Sequence, residues 1–516
     1  MPIQTADPVP NPQAPATTSH SPLRNRRPRF LREFWLRILV ISALLTVPCF
    51  WHVHLEAGDV ASHTYNAWLV QLIERGQAPG LWLARPSSNV LFDECLSALG
   101  KLLGLRPAEK SLVAICVLLY FWSAFALVFA ISRRVPWFLV PCLAMFSYGW
   151  AFQQGLINYY LSLALGFAGL ALVAGGRGAS RWLGIPLLPL MWLAHPLGAL
   201  LFLAGAAYLA LARTLEAWQQ YLLAAVAALV LFGLNFYLSA RYLVARVGPL
   251  SLAWEYNGFD QLSLYGPRYH LLLKIFMAFA LGCLLVDVAM RRRQRPSTAG
   301  PQEIASGYGL PLQLYALSFW AVLLLPNAVL LPQFSSPISL LTSRATAVCA
   351  IFLCALLGVM RPRRWHLAGF GLLAGAYFLF LYQDTGKVDH MEAQVERFVR
   401  ALPPGARVLA TIWPFYRSRI FNHHILDRAC IGHCFSYANY EPSNGQFRVR
   451  ANPGNGMVFA DARQVTEVRL GGYVVQPGDL PIFEVYQCND NLTDLCMRQL
   501  AAGDKTGEIG PHPSSR

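Results

Sequence analysis

A succession of apolar runs, with arginines gathered between them, constrains this chain more than any other feature. A helix needs about 20 apolar residues to cross a hydrocarbon core about 30 Å thick. Backbone in lipid must also find its hydrogen bonds within its own segment or in a closed barrel. The candidate spans lie at roughly 34–52, 109–131, 135–151, 156–174, 182–195, 197–213, 220–239, 270–290, 310–330, 339–359 and 367–383. The pattern predicts an all-α polytopic membrane bundle of about eleven helices. The third and fifth runs are short and open to tilting, re-entry or merging. Composition agrees: 55% of the 516 residues are hydrophobic and 13% charged, about half the charged share of a soluble domain.

The arginines supply an orientation. With the N-terminus cytoplasmic, Arg133-Arg134, Arg177 with Arg181, Arg213, Arg291-Arg292-Arg293 with Arg295, and Arg361 with Arg363-Arg364 all fall on one side, as the positive-inside rule requires. The same parity puts 53–108, 240–269, 331–338 and the C-terminal region outside. Topology thus accounts for a net charge of +15, and nucleic acid is not an expected partner, because no continuous basic face or aromatic stacking pattern accompanies it.

Residues 1–33 read as a disordered, basic cytoplasmic tail, Pro-, Ala-, Thr- and Ser-rich at first and then carrying Arg24, Arg26, Arg27, Arg29 and Arg32. No small-x-small site follows the first apolar run, so it reads as an uncleaved anchor. Residues 34–383 form the expected membrane domain. Residues 384–516 change to soluble composition and read as a small α/β or α+β extracytoplasmic domain. In it, Met391–Leu402 is predicted as an amphipathic helix stopped by Pro403-Pro404-Gly405. Arg407–Ile412, Gly456–Phe459, Tyr473–Val475 and Ile482–Tyr486 are predicted as strands. Four cysteines there, Cys430, Cys434, Cys488 and Cys496, suit two disulfides in an oxidising compartment. The simplest of three connectivities is Cys430–Cys434 with Cys488–Cys496. A zinc site using His423, His424 and His433 competes, although its spacing matches no standard finger.

The loop 53–108 is the richest in chemistry. Val60 onward has helical periodicity, with Gly76 as a stop, and the helix is expected to lie along the outer membrane surface. Asp59, His63 and Asn66 recur at i, i+4 and i+7 and share one face. Asp59 has two readings: an N-cap, or a base whose ionised form the helix N-terminus favours. His63 is either a site residue or an interfacial hydrogen-bonding group. A second short helix after Ser88-Asn89 carries Asp93 and Glu94, as a solvated helix start or as substrate contacts. His52, His54, Glu56 and Asp59 would be the ligands of a divalent metal, but alternating histidines define no geometry.

Further along, His195-Pro196 stands at the outer end of a span, where a polar group marks function or satisfies backbone freed by the proline. Arg344, near the outer start of the tenth run, departs from the cytoplasmic bias of the other arginines; its guanidinium suits a phosphate. Gln153, Gln154, Asn158 and Tyr159 lie at a neighbouring outer turn. No phosphate-binding glycine loop, Gly-x-Ser-x-Gly or His-Glu-x-x-His is present, which argues against an ATP-driven pump or a soluble-type hydrolase.

On Asp59 directly after the first span, the large first outer loop, His195, Arg344 and the soluble C-terminal part, the chain resembles the GT-C superfamily of polytopic glycosyltransferases. The resemblance covers about 34–383 and implies a lipid-linked sugar donor (a polyprenyl phosphate), a glycan, lipid or protein acceptor, and a place in the membrane, the bacterial inner membrane by analogy. It implies catalytic roles for Asp59 and His63, and substrate contacts for Arg344, His195, Asn66, Asp93 and Glu94. In that family the first-loop carboxylate acts as a base or helps bind a metal; the cofactor is otherwise unknown. Many members pair two acids in Asp-x-Asp, Glu-x-Asp or Asp-Asp, whereas here Asp59 has only Glu56 three residues before it. The competing reading is a transporter or flippase of a lipid or polar solute, which predicts inverted repeats and interrupted helices.

Overall fold

Apolar runs become helices and the polar C-terminal region becomes a small mixed sheet. The structure, a computed structural model, describes residues 26–247, 255–294, 307–332, 337–488 and 492–507. The tail reading for 1–21, Arg24 and Arg295 falls outside these residues. The chain divides into two units, Met1–Leu45 and Thr46–Arg516. Residues 26–45 of helix α1 (Arg26–Thr46) are the described part of the first.

In the second unit, α2 (Val60–Glu74), β1 (Leu81–Leu83), α3 (Leu91–Leu103), α4 (Leu105–Ser132), α5 (Val140–Ser147), α6 (Trp150–Gln153), α7 (Ile157–Gly175), α8 (Leu188–Ala194), α9 (Pro196–Ala212) and α10 (Ala217–Arg241) follow in order. Then come β2 (Leu243–Ala245), α11 (Pro267–Arg293), α12 (Gly309–Leu324), β3 (Ala328–Leu330), α13 (Leu341–Gly358) and α14 (Arg364–Arg400). The remainder holds β4 (Arg407–Thr411), α15 (Ile425–Ala429), β5 (Phe435–Ser436), α16 (Tyr440–Ser443), β6 (Val449–Ala451), α17 (Ala462–Arg469), β7 (Ile482–Gln487) and β8 (Leu495–Leu500).

Among the described residues, six helices are long and apolar enough to cross a membrane: α4, α7, α10, α11, α13 and α14. Helices α9 and α12 are apolar but shorter. The chain is therefore a membrane protein by the character of its helices, with fewer qualifying spans than the eleven runs suggested. Glycine and proline explain the two shortest runs. Run 135–151 breaks at Tyr148-Gly149 into α5 and α6, and the Tyr148 carbonyl accepts the Tyr377 hydroxyl at 2.7 Å instead of a helical N–H. Run 182–195 holds a 3-10 segment containing Pro186, then the seven residues of α8, then Pro196, which cannot donate into the preceding helix.

The last run behaves oppositely. The expected separate helices at 367–383 and 391–402 are one 37-residue helix, α14. Gly386 is the single breaker between them, a cost of about 1 kcal/mol, and flanking ion pairs hold the junction: Asp384 meets Arg268 and Lys387. Extending α14 beyond the apolar part carries Asp389, Glu392 and Glu396 to the region of Asp59. Arginines mark the other end of the same helices. Arg133 follows α4, and both it and Arg213 donate to the Ala174 carbonyl near the end of α7, whereas Glu109 and Asn158 begin those two helices on the Asp59 side.

The C-terminal sheet has the order β5-β4-β7-β8, with β4 parallel to β5 and β7, and β7 antiparallel to β8. Two of the four expected strands form, as β4 and β7. Gly456–Phe459 and Tyr473–Val475 do not, although Phe459 and Tyr473 enter the core with Leu409, Val468 and Ile482. Both runs pair too briefly to make a strand. The Phe459 N–H donates to the Tyr437 carbonyl at 2.9 Å. Tyr473–Val475 meets 503–506 through one bridge, Val474 to Lys505, with the Val475 N–H donating to Asp504, the Gly503 N–H to Val475 and the Thr506 N–H to Tyr473, each at 2.9 Å. Both disulfides follow the simplest connectivity, Cys430–Cys434 and Cys488–Cys496. With the cysteines so paired and His433 Nε2 against the Leu402 carbonyl at 2.8 Å, no zinc site forms among these residues.

The C-terminal region does not stand apart from the first loop. Strand β1 pairs antiparallel with β6, with Trp82 opposite Arg450. Helix α2 consequently is not an open surface helix: Val60 to Ala67, Leu69 and Val70 are all buried. Trp68 lies against Phe435 of the C-terminal region, with ring centroids 5.9 Å apart. The polar face of α2 is covered by protein, so Asp59, its side chain 17% exposed, is largely enclosed instead of lying at an open membrane surface.

Candidate functional site

Two glycines set the position of Asp59. Gly58 and Gly155 have φ of +41° and +77°, and the Asp59 N–H donates to the Gln154 carbonyl at 3.2 Å. A Cβ on Gly155 would stand 2.2 Å from the Asp59 nitrogen, and one on Gly58 2.5 Å from the Gln154 oxygen. Only hydrogen fits at this crossing. Gly155→Ala is expected to lower thermal stability by at least about 1–3 kcal/mol through overpacking. Gly76→Ala is the control: φ there is also positive at +69°, but nothing lies within 4 Å, so melting curves should show a clearly smaller loss.

Gly76 does close α2 as its sequence position suggests. The Gln77 N–H reaches the Leu72 carbonyl at 2.8 Å and the Gly76 N–H reaches Ile73 at 3.0 Å, the paired bonds of a Schellman end. The N-terminus is different. Asp59 has helical φ and ψ of −70° and −9°, and its side chain makes no capping bond, unlike a true N-cap, whose backbone is typically extended. Its carboxylate is directed elsewhere. Oδ2 accepts the Tyr440 hydroxyl at 2.6 Å, His63 Nε2 lies 3.8 Å from Oδ2, and His424 Nε2 lies 3.3 Å from Oδ1. Oδ1 itself has no aligned hydrogen-bond donor.

Each of the two histidines is held from behind by an aspartate. His63 Nδ1 lies 2.7 Å from Asp93 Oδ1, and Asn158 donates to Asp93 Oδ2 at 2.8 Å. His424 Nδ1 lies 2.8 Å from Asp427 Oδ2, while the Ser436 hydroxyl donates to the other Asp427 oxygen. Burial opposes charge on the His63 ring, but Asp93 first, then Asp59 and Glu441, outweigh it and hold its pKa up at about 10. Burial, with Asp93 and Asp59 close by, raises the Glu441 carboxyl well above the usual carboxylate range despite the pull of His63.

The His63 shift fixes a pH dependence. A ring that titrates at 6.5 when unfolded and near 10 when folded stabilises the protein fully below pH 6.5. That contribution is lost as pH rises toward 10. The melting temperature is expected to fall between pH 6.5 and 10, and His63→Gln should flatten that slope.

His63, Asp93 and Glu441 each offer one ligand atom within 4.8 Å of the others, all buried. Glu441 Oε1 is buried without a partner and lies 3.7 Å from His63 Nδ1. This nitrogen-and-oxygen donor set, with one orphaned oxygen, fits a divalent cation. The metal grouping suggested by sequence, His52, His54, Glu56 and Asp59, is instead dispersed. His52 Nε2 lies against the Tyr382 carbonyl, and His54 sits between Asp389 and Glu396. Although His54, Glu56 and Glu392 also cluster, Arg428 fills the place of a cation there, with its Nη2 2.6 Å from Glu392 and 3.6 Å from Glu56.

Arg428 ties the site to the bundle. Its guanidinium is bidentate on Glu392, at 2.7 and 2.6 Å, and also bonds Glu109 at 2.5 Å and the Leu55 carbonyl at 2.9 Å. All of these side chains are buried.

Arg344 and His195 form the other wall. Arg344 Nη1 lies 3.4 Å from His195 Nε2, and Asp59 and Tyr440 are close enough to act on its charge. His195 caps α9, its Nδ1 accepting the Leu197 N–H at 3.2 Å. The proton of the neutral ring therefore sits on Nε2, so two donors face one another. Arg344 Nε is buried without a partner as well. The partnerless Nε and the facing donors Nη1 and His195 Nε2–H suit an anionic oxygen. Tyr159 supports the pair by donating its hydroxyl to the Arg344 carbonyl at 2.7 Å.

The structure thus brings together Asp59, His63, Asp93, His195 and Arg344. Two expected residues serve elsewhere. Asn66 donates to the Ser62 carbonyl at 2.9 Å and faces Asn439 at 3.4 Å, joining α2 to the C-terminal region. Glu94 points outward, its side chain 57% exposed and 3.2 Å from Arg448; one residue on from Asp93, it occupies the opposite face of α3. His424, Asp427, Tyr440 and Glu441 were missed as members of the Asp59 site. The His423-His424 pair was the one visible signal, and its nearness to Cys430 drew it toward a zinc reading. In comparisons with protein-family models, with curated proteins and with solved structures, nothing matches this chain.

Proposed function

We propose that the protein is an integral membrane glycosyltransferase that moves a sugar from a polyprenyl-phosphate donor to an acceptor hydroxyl on the extracytoplasmic face. The observation that carries this reading is the turn of Asp59 away from capping, toward Tyr440 and two aspartate-backed histidines, with the Arg344–His195 donors beside it. Asp59 takes the proton of the acceptor hydroxyl. The hydroxyl oxygen then attacks the anomeric carbon as the bond from that carbon to the phosphate oxygen breaks, its electron pair leaving with the phosphate. Arg344 and His195 Nε2–H stabilise the departing oxygen, and charged His63 keeps Asp59 ionised. A divalent cation would replace the His63 proton, since the ring must be neutral to ligate it; held by His63, Asp93 and Glu441, it would supply Lewis acidity toward the phosphate and its own charge beside Asp59.

The reading carries with it the eleven-span topology, the cytoplasmic placement of the arginine-rich end and an address in the bacterial inner membrane. The test is label transfer from a panel of polyprenyl-phosphate hexoses and pentoses by the purified protein, wild type against Asp59→Asn. A transporter or flippase is the second reading, favoured by the helix breaks at Tyr148-Gly149 and His195-Pro196. Lipid or solute movement in proteoliposomes that survives Asp59→Asn would select it.

A further inference from the structure

The arginine-rich end of the bundle carries a feature that the proposed chemistry does not use. Between α4 and α7 runs a groove of about 980 Å³. Small residues such as Ala126, Ala168 and Ala171 form its floor, and Leu119, Trp122, Phe129 and Leu172 its walls. Leu119, Phe129 and Leu172 are exposed. The lining begins at Ile115 and ends at Arg133 and Arg177. At 1.5 Å per residue, the stretch from Ile115 to Arg133 is about 27 Å long, more than one leaflet of a core about 30 Å thick.

The charge at the arginine end is unbalanced. Arg213 is acted on by Arg181 and Arg133 and by no carboxylate. Among the described residues, the side chains of Arg133, Arg181 and Arg213 bond to the carbonyls of Ala174 and Gly176, and Arg177 is exposed and has no ion pair. Two of these arginines, Arg133 and Arg177, line the groove, and Arg181 and Arg213 stand beside them, with no carboxylate paired to any of the four among the described residues.

We infer that this groove is a binding site for an anionic phospholipid of the arginine-side leaflet, its acyl chain along Leu119, Trp122 and Phe129 and its phosphate between Arg133 and Arg177. A zwitterionic lipid offers the same tail but no net charge, and a basic residue near an anionic headgroup contributes about 1 kcal/mol. Two arginines thus predict about thirtyfold tighter binding of phosphatidylglycerol than of phosphatidylcholine.

The full-length protein, purified in detergent and stripped of lipid, is titrated with each lipid and with inorganic phosphate. Native mass spectrometry reads occupancy, and tryptophan fluorescence reads melting. Phosphatidylglycerol should bind about thirtyfold tighter than phosphatidylcholine and raise the melting temperature, with inorganic phosphate silent. Arg177→Glu should lose most of that preference, and Ala171→Phe, which fills the channel, should remove binding of both lipids. Equal affinity for the two lipids overturns the site, and so does unchanged phosphatidylglycerol binding in both variants. A melting shift reproduced by inorganic phosphate overturns the lipid as occupant, and a dimer mass in the stripped protein assigns the groove to a second copy. If a variant fails to fold, the wild-type comparison of the two lipids still decides.

Discussion

Arg428→Ala is expected to destabilise the protein by about 3–5 kcal/mol, the range for removing one partner of a buried ion pair. The residue is 2% exposed and Glu392 is fully buried, so the carboxylates left behind gain no water. Glu392 would lose both of its bonds from Arg428, Glu109 would keep only the Thr64 hydroxyl, and the Leu55 carbonyl would lose its donor. The loss should be local before it is global. Limited proteolysis should open the chain between α14 and β6, because Arg428 joins α15 to α4 and α14. Arg428→Lys should recover only part of the stability, since an ammonium cannot be bidentate on Glu392 while reaching Glu109. A melting temperature within about 1 °C of wild type for Arg428→Ala, about 1 kcal/mol for a chain of this size, would contradict this account of the cluster.

Asp59→Asn is expected to lower sugar transfer by about 10²–10⁴-fold, the contribution of a positioned general base. Asparagine keeps the volume and still accepts the Tyr440 hydroxyl through its amide oxygen, so folding should be preserved; circular dichroism and melting check that. A lost base lowers kcat. Arg344→Gln should act differently, because the proposed mechanism sets it on the donor phosphate, and a higher KM for the lipid-linked sugar is expected together with a lower kcat. Full transfer activity in folded Asp59→Asn protein would remove Asp59 from the mechanism.

Helices along most of the apolar runs were legible in the chain, because a long apolar run has one favourable backbone state in lipid. So were the α2 boundaries, the strands β4 and β7, and both disulfides. The failures share one cause. The strand readings at 456–459 and 473–475 took short apolar runs as strands, and such runs do not reveal whether a partner edge is available. The expected placement of α2 along the outer membrane surface left its polar side uncovered, yet Ser62, His63, Thr64 and Asn66 are all buried. They are satisfied by groups distant in sequence: Asp93 for His63, Glu109 for Thr64, and Asn439 for Ser62 and Asn66.

The missing second acid illustrates the same limit. Near Asp59 in sequence only Glu56 is available, and Glu56 turns toward Arg428. The acids that surround the site, Asp93 and Glu441, come from α3 and α16. Periodicity reports the faces of one element; it carries no information about which distant loop will cover that face.

By itself, the sequence determined that this chain builds apolar helices, that its arginines gather between them, and that Asp59 and His63 share a helical face. Those outcomes follow from local periods and from the hydrogen-bonding demands of backbone in an apolar medium. Only the tertiary structure decided that Asp59 is not a cap, that His424, Tyr440 and Glu441 meet it across more than 360 positions of chain, and that Arg344 faces His195. Those contacts depend on two glycines crossing at Gly58 and Gly155 and on one buried arginine at 428, where close approach and charge pairing act through space.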